Sequence, residues 1–137
     1  MADRDKDSTA SSTVHEQDGQ TVQDGHDNAA VLVYTTFPSQ EDAKRIGRAL
    51  LEARLAACVN IFPQMTAIYI WEGKIEEDGE TAMIVKTTGE RSAEVLQEIK
   101  RMHPYSVPAR LVLPVVGGGG DFLAWICDQC GQARKAE

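Results

Sequence analysis

The spacing of apolar positions changes several times along this chain, and each change marks the edge of an element. Residues 31–34 are a short apolar run followed by TTFPSQED, which predicts a buried strand ending in a turn. Ser39 and Asp42 stand at capping-box spacing just behind Pro38. Ala43, Ile46, Gly47, Leu50, Leu51 and Leu55 then recur at helical intervals, predicting a helix. AACVNIFP follows at once as a strand stopped at Pro63. The stretch TAIYIWEGKIEEDGETAMIVKTT holds two turn signals, Glu72-Gly73 and Asp78-Gly79, which predict a strand, a short return and a third strand. Val95, Leu96, Ile99 and Met102 return to helical spacing in a segment that closes at His103, because the residue before Pro104 is pushed out of the α region. RLVLPV is a further strand, limited by Pro114. After four glycines, Asp121 is the expected N-cap of a helix with Phe122, Trp125 and Ile126 on one face, and Gly131 suits the position just past its end.

The order strand, helix, strand, extension, helix, strand, helix places the chain in the α+β class. Its first six elements follow the split β-α-β β-α-β plan of ferredoxin-like sandwiches, with a hairpin extension and a C-terminal helix added. No internal repeat at solenoid periods interrupts that order.

Composition divides the chain in two. Residues 1–28 hold two isolated valines, no large aliphatic or aromatic residue, and seven acids against two bases. Such a segment cannot bury enough apolar surface to offset its ordering entropy, so it is expected to be a disordered acidic tail ahead of one folded domain over residues 29–137. The tail lacks the charged start, apolar run and small-residue cleavage site of a secretory signal. It also carries most of the net charge of −7. The nearly balanced remainder has no basic stripe, which argues against nucleic acid as a partner. No stretch reaches the apolar length needed to span a bilayer, so no membrane role is expected. The folded part has roughly 100 residues, a modest core to which oligomerisation often adds burial. Three cysteines are too few for a disulfide framework, and a reducing cytoplasmic setting is expected.

Several residues could carry chemistry. Cys127 and Cys130 form a single C-x-x-C with no second cluster to complete a zinc site, and they close a helix rather than open one as redox pairs do. The expectation is a buried Cys127 and an incidental Cys130. The four glycines lack the lysine and hydroxyl of a phosphate loop and are expected to be a connector. Cys58 lies in an apolar strand, where a thiol usually behaves as a small hydrophobe. Lys86 interrupts the strand AMIVKTT, and a buried lysine needs a partner. Two readings stand side by side: an ion pair with Glu72 or Glu80, or a pocket for a small anion. His103 is a helix end by position and a metal ligand by chemistry. Met102 beside it either continues the apolar stripe or offers a soft thioether to copper. His15 and His26, in the tail, are expected to be solvated.

The segments LAACVNIFP, IYIWEGKIEEDGE, MIVKTT, HPYSVP and LPV…DFLAWI, in this order and spacing, resemble the CutA proteins over about residues 30–128. The resemblance implies a ferredoxin-like fold assembled as a homotrimer, in which strands of neighbouring copies cover each other's edges. It implies a link to copper and other divalent cations, with no enzymatic activity and no organic cofactor. Proposed copper ligands of bacterial relatives, carried over one by one, fall on Thr35 in place of a cysteine, Met102 in place of a first histidine, and His103. Ala109 stands where family patterns carry a glutamate. A clustered pocket of Trp71, Glu72, Glu80, Lys86 and Tyr105 matches the family. The expected function is therefore a trimeric protein of divalent metal ion tolerance that binds copper or another divalent cation. The alternative is a small-molecule- or anion-sensing trimer with a ligand cleft between subunits and no direct metal site.

Overall fold

The structure is a computed structural model that describes residues 14–17, 20–23 and 29–130. In chain order the elements are β1 (Val14–Gln17), β2 (Gln20–Gln23), β3 (Ala30–Phe37), α1 (Gln40–Glu52), β4 (Cys58–Trp71), β5 (Lys74–Thr88), α2 (Gly89–Met102), β6 (Arg110–Pro114), β7 (Gly117–Gly118) and α3 (Gly120–Cys130). Four strands form the main sheet in the order β4-β5-β3-β6, every neighbouring pair antiparallel. This is the mixed α+β architecture expected.

Local chemistry explains where the helices begin. The Ser39 hydroxyl accepts from the Asp42 backbone N–H at 3.1 Å, so α1 starts at the expected cap. Thr88 does the same for α2, accepting from Arg91 N–H at 3.3 Å. α3 starts two residues earlier than expected: Leu123 N–H donates to the Gly119 carbonyl at 3.0 Å, and Asp121 sits in the first turn, where a carboxylate favours the helix dipole.

Alternation along the strands divides the sheet into two unlike faces. Val33, Thr35 and Phe37 on β3, with Met83 and Val85 on β5, point toward α1 and α2 and are fully buried. They meet Ala43, Ile46 and Leu50 of α1 and Val95 and Ile99 of α2 in one contiguous core, against which Val59, Ile61 and Met102 also pack. Ala30, Leu32, Tyr34 and Thr36 point the other way. There α3 covers only one end, where Ile126 and Cys130 bury Ala30.

β4 and β5 run on beyond the sheet as a long hairpin, and here two expectations are corrected. β4 does not stop at Pro63. The ladder passes through it by a bulge in which Pro63 and Gln64 oppose the single Thr81, with Gln64 at φ 62°. A bulge is a place where a residue without an N–H costs the ladder nothing. The hairpin also turns once, not twice. Glu72 and Gly73, at φ 51° and 81°, supply the two successive positive-φ residues of a tight hairpin turn. Asp78 and Gly79 remain in register opposite Ala67 and Thr66.

Part of the segment expected to be a disordered tail also forms structure. β1 pairs with β2, and β2 pairs with β7, as a small second sheet. Residues 1–13 lie outside the described residues, as do residues 24–28 and 131–137, so the expectation for Gly131 does too. Composition misses β2 because polar contacts hold it. The buried Gln23 amide donates to the Val115 and Ala30 carbonyls at 2.8 and 3.1 Å and accepts from Ala30 N–H at 2.8 Å. Gly117 permits the approach: a Cβ there would lie 2.5 Å from the Thr21 carbonyl oxygen. Gly117→Val should therefore displace β2, at roughly 1–3 kcal/mol of local overpacking. Amide exchange at Gln23 should accelerate while that of Val33 and Val85 stays slow.

Candidate functional site

His103 occupies the C-cap of α2 with an extended backbone, φ −75° and ψ 141°, as the following proline dictates. Its side chain turns inward and is 9% exposed. The ring stacks on Phe37 with centroids 4.6 Å apart and faces Tyr105 at 5.1 Å. Both nitrogens are engaged. Nε2 lies 2.7 Å from the Thr36 carbonyl, and Nδ1 accepts the Tyr105 backbone N–H at 3.1 Å. That pattern fixes the neutral tautomer with its proton on Nε2. One imidazole thereby ties the end of α2 to β3 and to the loop that leads to β6.

Around this ring the candidate side chains part company. Tyr105 turns its hydroxyl to Glu80, donating at 3.2 Å. Burial pushes the Tyr105 phenol above its usual pKa, and the Glu80 carboxylate adds to the rise. Nearby on the hairpin, Tyr69 donates to Asp78 at 2.5 Å, which pushes the Tyr69 pKa up to about 12. Trp71 and Glu72 lie farther out at the hairpin tip, exposed. Lys86 lies at the opposite end of the sheet, paired in register with Leu32 and Cys58, its ammonium 5.2 Å from the centre of the Phe122 ring. Of the five residues expected to line one pocket, a single chain joins only Glu80 and Tyr105. Lys86 finds an aromatic face rather than a glutamate.

The cysteines are placed differently from the expectation as well. Cys130, not Cys127, is the fully buried one, with Sγ 3.9 Å from the Thr87 hydroxyl. Burial raises the pKa of both thiols, which leaves them poor nucleophiles. Cys58 is half-buried on the sheet.

Comparison with known proteins decides the family. The profile of the CutA1 divalent ion tolerance protein matches residues 31–129. The chain belongs to that family. A divalent-cation tolerance protein CutA of Archaeoglobus fulgidus is 52% identical over 95 residues, which cover 69% of this chain and 92% of the relative. The human protein CutA is 44% identical over 93 residues, covering 68% of this chain and 52% of that protein. Among solved structures, the divalent cation tolerance protein of Thermus thermophilus superposes with a TM-score of 0.72 at 42% identity, over 74% of this chain and 99% of the other.

The residues of this CutA1-family chain can be tested against the copper ligands that the resemblance implies. Thr35 is buried in the core with its hydroxyl unpartnered. Met102 packs against the same core. Each His103 nitrogen is held in a hydrogen bond, so a metal would have to break one of them. Among the described residues no three His, Cys, Asp or Glu side chains gather into a metal-holding group. A hydroxyl, a packed thioether and a committed imidazole do not fit a copper centre in this arrangement. Spacing singled out His103, but Phe37 and Thr36, which fix it, carry no signal in sequence.

Burial holds the His103 imidazole below its ordinary pKa of 6.5, against the opposing pull of the Thr36 carbonyl and Asp42. The fold therefore keeps the neutral ring, whereas the unfolded chain takes up a proton as pH falls through 6.5. The contribution is complete above that pH and is lost below it. Chemical denaturation between pH 7.5 and 5 should show stability falling on the acid side by at most about 1.4 kcal/mol per pH unit from this group. His103→Asn should flatten that slope.

Proposed function

We propose that this chain works in divalent-cation tolerance as a non-catalytic homotrimer, with copies joined through the open sheet face and the hairpin. The observation that carries the assembly is the apolar surface left in water. Leu111 and Leu113 on the open face are 59% and 41% exposed, and Ile70 and Ile75 on the hairpin 74% and 76%. Exposed apolar side chains in such number mark a protein interface, and the hairpin runs on past the sheet as an arm that can lie on a second copy. We read the fold as ferredoxin-like, which the order β4-β5-β3-β6 supports, with β4 and β6 as the edges that neighbouring copies cover. A reducing cytoplasm suits the thiols of Cys58, Cys127 and Cys130.

In this reading His103 fastens the end of α2 and the loop before β6, and the link to cations does not run through a centre of His103, Met102 and Thr35. The names of the relatives support the tolerance role, and the engaged ring nitrogens support the structural role of His103.

Sedimentation equilibrium should return three times the 15.0 kDa chain mass, and Ile75→Lys combined with Leu111→Asp should lower it to one chain. Titration of Cu(II), and of Cu(I) without oxygen, should give the same stoichiometry for the unmodified protein and for His103→Ala. Saturable binding that disappears with the imidazole would restore the copper centre and remove this reading.

A further inference from the structure

Two polar atoms in the interior of the sheet have no hydrogen-bond partner. Among the described residues, Thr35 Oγ1 and Arg110 Nε are the buried side-chain nitrogen and oxygen atoms that find no hydrogen bond. They are not scattered. Thr35 on β3 and Arg110 on β6 are directly paired in the ladder, so both side chains leave the sheet on the same face, toward α2. Directly opposed residues hold their Cβ atoms about 4.5–5.5 Å apart, close enough for one small guest to reach both side chains.

The Arg110 guanidinium is anchored but not neutralised. Its Nη1 donates to the Leu96 carbonyl of α2 at 3.0 Å, which draws the side chain inward beneath the helix. Among the described residues no carboxylate pairs with it. Its positive charge reaches into the core, where it helps to hold His103 neutral. Leaving a buried donor unmade is costly, and a charged one more so.

We propose that Thr35 and Arg110 form a binding site for one small inorganic anion, seated between β3, β6 and α2. The Nε–H and the hydroxyl both donate to the guest, and the guanidinium charge selects an anion over water. Thr35 is fully buried, which restricts the guest to a halide or a compact oxyanion. The position that the family resemblance gives to a copper ligand thus serves a guest of opposite charge. This inference stands apart from the trimer and from the role of His103.

The probe is chloride, exchanged against gluconate at constant ionic strength, with thermal unfolding of the full chain as the readout. Gluconate is too large for a closed site. The unfolding midpoint of the unmodified protein should rise with the logarithm of chloride concentration, because an anion that binds only the folded state stabilises it by mass action. Thr35→Ser should keep this dependence, whereas Thr35→Val and Arg110→Leu should lose it. Crystals soaked in bromide should show an anomalous peak between Thr35 and Arg110, a result that does not depend on any variant folding. A midpoint indifferent to chloride, a dependence that survives in Thr35→Val or Arg110→Leu, or a bromide soak with no peak at this position would each overturn the proposal.

Discussion

The structure depends on one constraint: β3 is an inner strand with two faces, and both must leave water. Its position between β5 and β6 commits every backbone polar group to the ladder, so burial of its side chains decides what packs where. On one face, Val33, Thr35 and Phe37 are closed over by α1 and α2. On the other, Leu32 and Tyr34 have only the short α3 near one end. A single copy resolves half of the problem. In the proposed trimer the hairpin is the complementary half, because it exposes apolar surface that no described residue of its own chain covers. The fold and the proposed assembly are then two consequences of the same alternation.

His103 serves that layered core rather than standing apart from it. Two adjacent residues of β3 and one of the loop after α2 meet on its ring: the Thr36 carbonyl, the Phe37 face and the Tyr105 amide. The imidazole is suited to this because it can donate at one nitrogen and accept at the other while its plane stacks against an aromatic ring. The same capacity makes histidine a metal ligand elsewhere, and the two uses compete for the same lone pairs.

Much of this was legible in the chain. Helical spacing located α1 and α2, and Ser39 marked the start of the first of them, because amphipathic period and capping are local properties. The family motifs named the candidate residues. Partnership was not legible. Lys86 needed a partner, and sequence suggested a glutamate or a small anion, but ladder register places it beside Phe122, and register is set across strands rather than along them. β2 was invisible for a related reason. Its hold comes from the Gln23 amide and from the missing side chain of Gly117, neither of which alters hydrophobicity.

The bulge at Pro63 and Gln64 also decides which way the hairpin faces. Before it, Phe62 shares the face of Leu32 and Tyr34; after it, Met65, Tyr69 and Trp71 take over that side, and Ile68 and Ile70 fall on the other. The odd residue works as a parity switch between the sheet and its arm. Loss of Gln64 alone would restore simple alternation and turn β4 of the arm over relative to the sheet. Tyr69 would exchange sides with Ile68 and Ile70 without any change in their identity. In this stretch the length of the chain, counted in single residues, carries as much specificity as the side chains themselves.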